Sequence, residues 1–542
     1  MAKGYRPVVR DQGFLLPPDM REWLPESHPV WLVIEAVALL DTSAFHARRK
    51  TGGAGAAGYD PDMLVTLLVW AYANQVTSSR RIERLCGQDV AFRVICGGNL
   101  PDHATIARFR KDFAGAVPAL FAGVLALCAR LGMGKVGVVA LDGTKIAANA
   151  SKDANRTEEG LRKLAEEMGA AHAAADADED ALFGGGRGDD DPGDPHTRRE
   201  RVAAALASAV AERQRREAGE RARAEEQART GEAQVRAAQA GTPADGRPAA
   251  GAQVELARLN LERQHAAAQA RCDAHAAAAA AGRPPRGRAP VPPEGHYAVA
   301  RAKARLARAE AAQAARDAAA EAGTAPAGEP ARRNVTDPGS RLMPVRGGGF
   351  IQGYNAQNLT TEDGLIIATR LTQDTTDTAW YQPMTSDAIT AAAAMAAARG
   401  GGSAQVGLVL ADAGYLSEDN LTSDGPDRLI ATGKRRDVEK AARRAAAAGS
   451  PAGDADAEES TATAAMAARL ATEEGITAYR QRGHIAETPH GNIKHNHGFR
   501  QLTMRGHRKA SAEWAFAVTV HNLSKAITSG HLTRQALAAL AT

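Results

Sequence analysis

Residues 152–333 constrain the fold more than any other part of the chain. They are rich in Ala, Arg, Glu and Gln, with few large apolar residues and almost no aromatics. Such a segment cannot close a core of its own. Any core must therefore come from the flanks, 1–151 and 334–542, which lie far apart in the chain. Within the insertion, 198–239 and 297–322 have good helix propensity, and Gly/Pro/Asp breaks fall at 184–196, 241–251 and 282–295. The expectation is helical hairpins or a charged arm, partly disordered, with no clean heptad. A second Ala-rich insert spans 437–475.

The first flank is helical in pattern. Asp60-Pro61 reads as an N-cap followed by Pro at N1, with Met63, Leu67, Trp70 and Ala71 on one face. Further short helices start at Ser78 or Ser79 and after Asp102, the latter burying Ile106, Phe109 and Phe113. Arg80, Arg81, Arg84, Arg108, Arg110 and Lys111 are placed outside, giving a small all-α module that suits either a DNA groove or plain solvent. After Gly132 and Gly134 the period changes. Val136–Leu141 is a continuous apolar, β-rich run, the pattern of a strand buried on both faces, and it is expected to end in a turn at Asp142-Gly143.

The second flank alternates strands and helices. GGGFIQGYNAQNLTT and Leu365–Leu371 read as strands of a hairpin turning at Asp363-Gly364, with Asp374 and Asp377 in the following loop. A helix over Trp380–Arg399 and a buried strand over Val406–Leu410 lead to Asp412; RLIATGK is another strand. The chain then reaches YRQRGHIAETPHGNIKHNHGFRQLTMRG, residues 479–506, and a closing amphipathic helix carrying Trp514, Phe516, Val520 and Leu523. In that stretch a lone carboxylate, Glu487, sits among Arg480, Arg482, His484, His490, Lys494, His495, His497, Arg500 and Arg505. Nearby positive charge favours its ionised form. The stretch suits a metal ligand held against a polyanion, or a solvated basic helix whose Glu pairs with Lys or Arg.

In a mixed sheet the strands ending at Asp142 and Asp412 can be neighbours, with Glu487 closing the site from the following helix. Three carboxylates form a hard-oxygen set suited to Mg²⁺ or Mn²⁺, and two such ions can clamp the attacking and leaving oxygens of a phosphoryl displacement. No nucleophilic elbow, catalytic cysteine context or P-loop is present. His490, His495 and His497 also invite zinc, which no cysteine supports. Net charge is only +4, so binding to nucleic acid must rest on local patches. The four cysteines are scattered without CxxC spacing, and no apolar run approaches the ~18 residues of a membrane span, which together lead to the expectation of a reducing, cytoplasmic setting.

Tyr479, Arg482, Glu487 and Lys494 resemble the Y-R-E-K signature of bacterial insertion-sequence transposases with a DDE site. Six residues separate Glu487 from Lys494, as in that pattern; four separate Arg482 from Glu487, where the broader group usually has three. GNIKHNHGFRQLTMRG, AEWAFAVTVHNLSK, LDGTKIAANAS, TDPGSRLM, IQGYNAQ and LADAGYLS are similar to the IS1182 branch of the IS4/IS5-like transposases, and residues 13–114 resemble its N-terminal helical domain.

The resemblance implies an α/β chain: an N-terminal helical DNA-binding domain (1–130), an RNase H-like mixed-sheet core begun at 131–151 and resumed at 334–542, and the long helical insertion at 152–333 between the two. It implies Asp142, Asp412 and Glu487 as catalytic, metal-binding triad. Arg482 and Lys494 would contact terminal phosphates, Tyr479 would help hold the transposon end, and Arg500 would join them in binding DNA. The expected partners are the double-stranded terminal inverted repeats and target DNA, with a homodimer in the synaptic complex, in the bacterial cytoplasm at the nucleoid and away from membrane. The alternatives are a catalytically silent, repressor-like derivative and an RNase H-like nuclease that cuts without joining.

Overall fold

The structure is a computed structural model that describes residues 19–47, 58–179, 197–242, 246–281, 288–321, 330–345, 347–402, 404–433, 440 and 461–541. The chain divides into two units: Met1–Asn155 with Ala177–Ala205 and Asn334–Thr542, and Arg156–Asp176 with Leu206–Arg333.

The first unit is built on a six-stranded mixed sheet. Its strands are β1 (Val138–Ala147), β2 (Arg341–Pro344), β3 (Phe350–Thr361), β4 (Ile366–Thr372), β5 (Leu408–Ala411) and β6 (Asp427–Ile430). β3 runs antiparallel to β1 on one side, and both β2 and β4 pair with the far edge of β3. On the other side of β1 lie β5 and then β6, both parallel. Ala140 stands opposite Leu410, so Asp142 and Asp412 each follow two residues beyond a paired position.

One face of the sheet shares a core with the N-terminal helices (Pro29–Ala38, Pro61–Ala73, Val117–Arg130), Tyr381–Ala398 and His507–Thr528. Val139, Leu141 and Val409 are completely buried there. The other face packs Ala140, Leu410 and Leu429 against Met466, Leu470, Ile476, Tyr479 and Ile485. Each large side chain so buried contributes about 1.5–3 kcal/mol. Coverage on both faces explains why β1 and β5 read as unbroken apolar runs and not as alternating ones.

Most elements fall where the pattern puts them. Asp60 and Asp102 cap their helices through their side chains, and Gly364 adopts φ 85° in the hairpin turn. Three expectations are corrected. β1 does not stop at Asp142; β3 pairs with it from Val139 to Ala147, so Asp142-Gly143 is mid-strand. The Pro61–Ala73 helix is buried nearly all round, including Leu64, Val65, Leu68 and Tyr72, because the sheet unit closes over it. Arg110 is inside: its side chain is 7% exposed and pairs with Glu513 at 2.7 Å. Burial is tolerated because Arg110 also donates to Thr77 O, Tyr72 Oη and Thr503 Oγ1.

The second unit is helical, carrying most of Arg198–Gln239, with Gln253–Ala280 and Tyr297–Glu321. Gln234 ties the first turn between them, donating to Arg247 O at 3.0 Å and accepting from Ala249 N at 2.9 Å. The expected disorder, the breaks at 184–196 and most of the 437–475 insert lie outside the described residues, although Thr461–Ala471 is helical. No single described helix is long and apolar enough to cross a membrane.

Candidate active site on two parallel strands

Asp142 projects from β1, and Asp412 follows directly on β5, where its Oδ1 accepts from Gly414 N at 2.9 Å and caps the short 3₁₀ turn Ala413–Tyr415. One guanidinium nitrogen joins the two acids. Arg482 Nη2 donates to Asp142 Oδ1 at 2.9 Å and lies 3.3 Å from Asp412 Oδ2. His490 Nδ1 stands 3.6 Å from Asp142 Oδ2. Burial pushes the Asp142 carboxyl up, but His490 and Arg482 outweigh it and hold Asp142 below the usual carboxylate range. Asp412 goes the other way: burial and the negative charges of Asp142 and Asp377 raise it against the pull of Arg482. The two carboxylates thus titrate apart around one cation. Burial works against the charged form of Arg482, yet Asp142 and Asp412 keep it more firmly protonated than usual.

Arg482 ends the helix Glu473–Arg482, and the chain continues helically to Asn496 with π-helical turns at Gly483–Glu487 and Asn492–Asn496. A π turn closes i→i+5 and takes up one extra residue. Residues five apart across it share a face as residues four apart do on an α-helix. The additional residue between Arg482 and Glu487 is thereby absorbed, and Glu487 keeps the side of the helix that carries Arg482. Glu487 is exposed, and its charge is among those acting on Arg482. It is not drawn onto the two aspartates. Among the described residues, the three metal-capable side chains whose ligand atoms lie within 4.8 Å of one another are His46, Asp60 and Asp62, on the N-terminal helices.

Two family profiles match the chain: a transposase domain (DUF772) at residues 18–112 and a transposase DDE domain at residues 454–527. Both matches are to transposase domains, and the second is to a DDE domain. The pair of matches is consistent with the IS1182 type. No curated protein and no solved structure matches it. The matched DDE stretch contains Arg482, Glu487 and Lys494, while Asp142 and Asp412 lie upstream of it.

The other sequence-derived residues take separate places. Tyr479 is only 6% exposed and packs in the core beside Ala140 and Leu410. Lys494 Nζ donates to Thr144 Oγ1 at 2.6 Å and to Lys145 O at 2.7 Å, fastening the helix to β1 just past Asp142; burial lowers its pKa. Arg500 is exposed and reaches Lys494 O and His495 Nδ1. The histidines offered for zinc part company: His490 turns to Asp142, His495 to Arg500, and His497 to His521 at 6.3 Å between rings.

Sequence reasoning gave no place at the site to Asp377. Its Oδ1 accepts from Asn355 Nδ2 and Gln357 Nε2, both at 2.6 Å, with Lys145 Nζ at 3.6 Å. Gln357 in turn accepts from the buried Tyr415 hydroxyl, three residues beyond Asp412. Gly143 explains itself here: a Cβ would come 2.6 Å from Asp377 Oδ1 and 2.7 Å from Gln357 Nε2. The buried polar run of β3, IQGYNAQNLTT, was the available signal, since buried amides demand partners.

Proposed function

We propose that this insertion-sequence transposase cuts DNA at the ends of its own element and joins the freed 3′-hydroxyl to target DNA, with Asp142, Asp412 and Glu487 as its acidic triad. The observation that carries the reading is the meeting of Asp142, within β1, and Asp412, just past the end of the parallel β5, on one Arg482 nitrogen. The arrangement of a hairpin beside β1 and two parallel strands on its other side supports an RNase H-like core.

The donor set fits a hard divalent cation, since Asp142 and Asp412 offer carboxylate oxygens at one place. A bound Mg²⁺ or Mn²⁺ would supply Lewis-acid activation of the attacking oxygen and neutralise charge on the leaving one. Arg482 keeps the two acids together and is the charge with which a cation must compete. Arg482 Nε, His490 Nε2 and Asn358 Nδ2 are buried without hydrogen-bond partners in the structure, and Asn358 stands opposite Asp142 on β3. The Arg482 and Asn358 donors suit phosphate oxygens brought to Asp142. Lys494 and Arg500, and Tyr479 through its hydroxyl, are proposed to steady the transposon end, two copies of the chain pairing two ends in the cytoplasm.

The test is a plasmid carrying the element's ends, incubated with Mg²⁺ or Mn²⁺. Nicking followed by joined product is expected. End binding without any metal-dependent nicking would leave a repressor-like protein, and nicking without joining would leave a nuclease.

A further inference from the structure

A second feature of the first unit lies away from the two aspartates. A cleft of about 720 Å³ opens between the N-terminal helices and the segment Thr503–Lys509. Arg80, His103, Lys111, Arg201, Arg505 and Lys509 line it, and no carboxylate is among the described residues that do. Behind the lining residues, Glu513 is 1% exposed and committed to Arg110, Tyr72, Thr503 and Met504 N, while Glu83 pairs with His103 at 2.8 Å. Arg110 Nε, in the same buried layer, has no partner. Two helices begin at the cleft wall. Ser79–Gln88 follows Ser78, and His507–Thr528 follows Gly506; neither start is capped by a side chain. Uncapped first turns present backbone N–H donors and the positive end of the helix dipole.

We infer that this cleft binds the phosphodiester backbone of duplex DNA, an assignment that rests on the transposase reading for the kind of polyanion. Helix ends and point charges grip phosphates without reading bases, so the grip is independent of sequence. The N-terminal helices thus meet DNA through their ends and not through a helix laid in a groove. The cleft is tied to the catalytic strand: Arg505 Nε donates to Asn149 O at 3.0 Å, and Asn149 Nδ2 donates to Thr503 O at 2.7 Å. Asn149 lies seven residues beyond Asp142, roughly 20 Å at strand rise, or about six base pairs of duplex. The phosphates held here therefore flank the one presented to Asp142 by about half a helical turn.

The experiment measures anisotropy of a labelled random-sequence 40-bp duplex with the full chain over a range of salt. Replacing Arg80, Lys111 and Arg505 together by Gln should weaken binding by at least about tenfold and flatten the log–log salt slope by about two to three. Two unrelated duplexes should respond alike. An unchanged slope, or tighter binding of an RNA duplex of the same sequence, overturns the assignment. Should the triple variant melt early, Lys111→Gln alone, at an exposed position, should still remove about one from the slope. Two readouts separate the readings: the salt slope of the cleft variants tests the cleft, while Mg²⁺-dependent nicking by the unaltered chain tests the transposase reading, and either can fail alone.

Discussion

At the scale of single residues the site is a contest between two acids and one guanidinium. Substituting Asp142 or Asp412 by Asn should lower metal-dependent nicking by more than about 100-fold, since even partners of metal ligands commonly cost 10–100-fold. Gel analysis of nicked plasmid checks this, and full activity in either variant would remove that acid from the site. Arg482→Gln takes away the cation held at 2.9 Å and 3.3 Å from the two carboxylates. Mn²⁺ binding without DNA, followed by paramagnetic resonance, should then tighten by on the order of tenfold, while DNA binding weakens. Unaltered Mn²⁺ affinity would mean that Arg482 does not compete. Asp142 and Asp412 were legible because each ends or interrupts an apolar strand pattern. The partners of His490 and Asp377 were not, because they lie far away in the chain and no local pattern marks them.

At the scale of elements, the helix bearing Arg482 and Glu487 and the helix bearing Glu513 hold the unit together. Glu513 binds the 503–504 backbone and Arg110 at once. Glu513→Ala leaves the Arg110 charge buried and unpaired, and should cost about 3–5 kcal/mol. Urea unfolding would register this as a lower midpoint, with Glu513→Gln intermediate. Helix starts at Asp60 and Asp102 were readable from capping chemistry alone. The length of β1 was not, because an Asp-Gly pair reads as a turn until β3 is known to run beside it. Gly143 serves close approach to Asp377 and Gln357, so Gly143→Ala should cost about 1–3 kcal/mol in the same assay.

At the scale of the molecule, one core spans positions from Val30 to Leu537. That arrangement was foreseeable from the poverty of the insertion in large apolar residues; the partners within the core were not, since patterning says which side is buried and not against what. Stability should carry one pH signature of this packing. Burial lowers His521 from 6.5 to about 4. Its Nε2 faces Gly364 O, which can only accept, so Nδ1 is left to accept from Asn492. Below about pH 6.5 the unfolded chain takes a proton that the folded chain refuses. Stability is therefore complete above that pH and should fall by roughly 3 kcal/mol on the way to pH 4. Chemical denaturation across that range checks it, and His521→Gln should flatten the profile.

The wide turn at Gly483–Glu487 has a bearing on ancestry. A helix that can swallow a residue without rotating the turns beyond it tolerates a one-residue insertion that would throw an ordinary α-helix out of register. Spacing between Arg482 and Glu487 is then better compared in turns of helix than in letters of sequence.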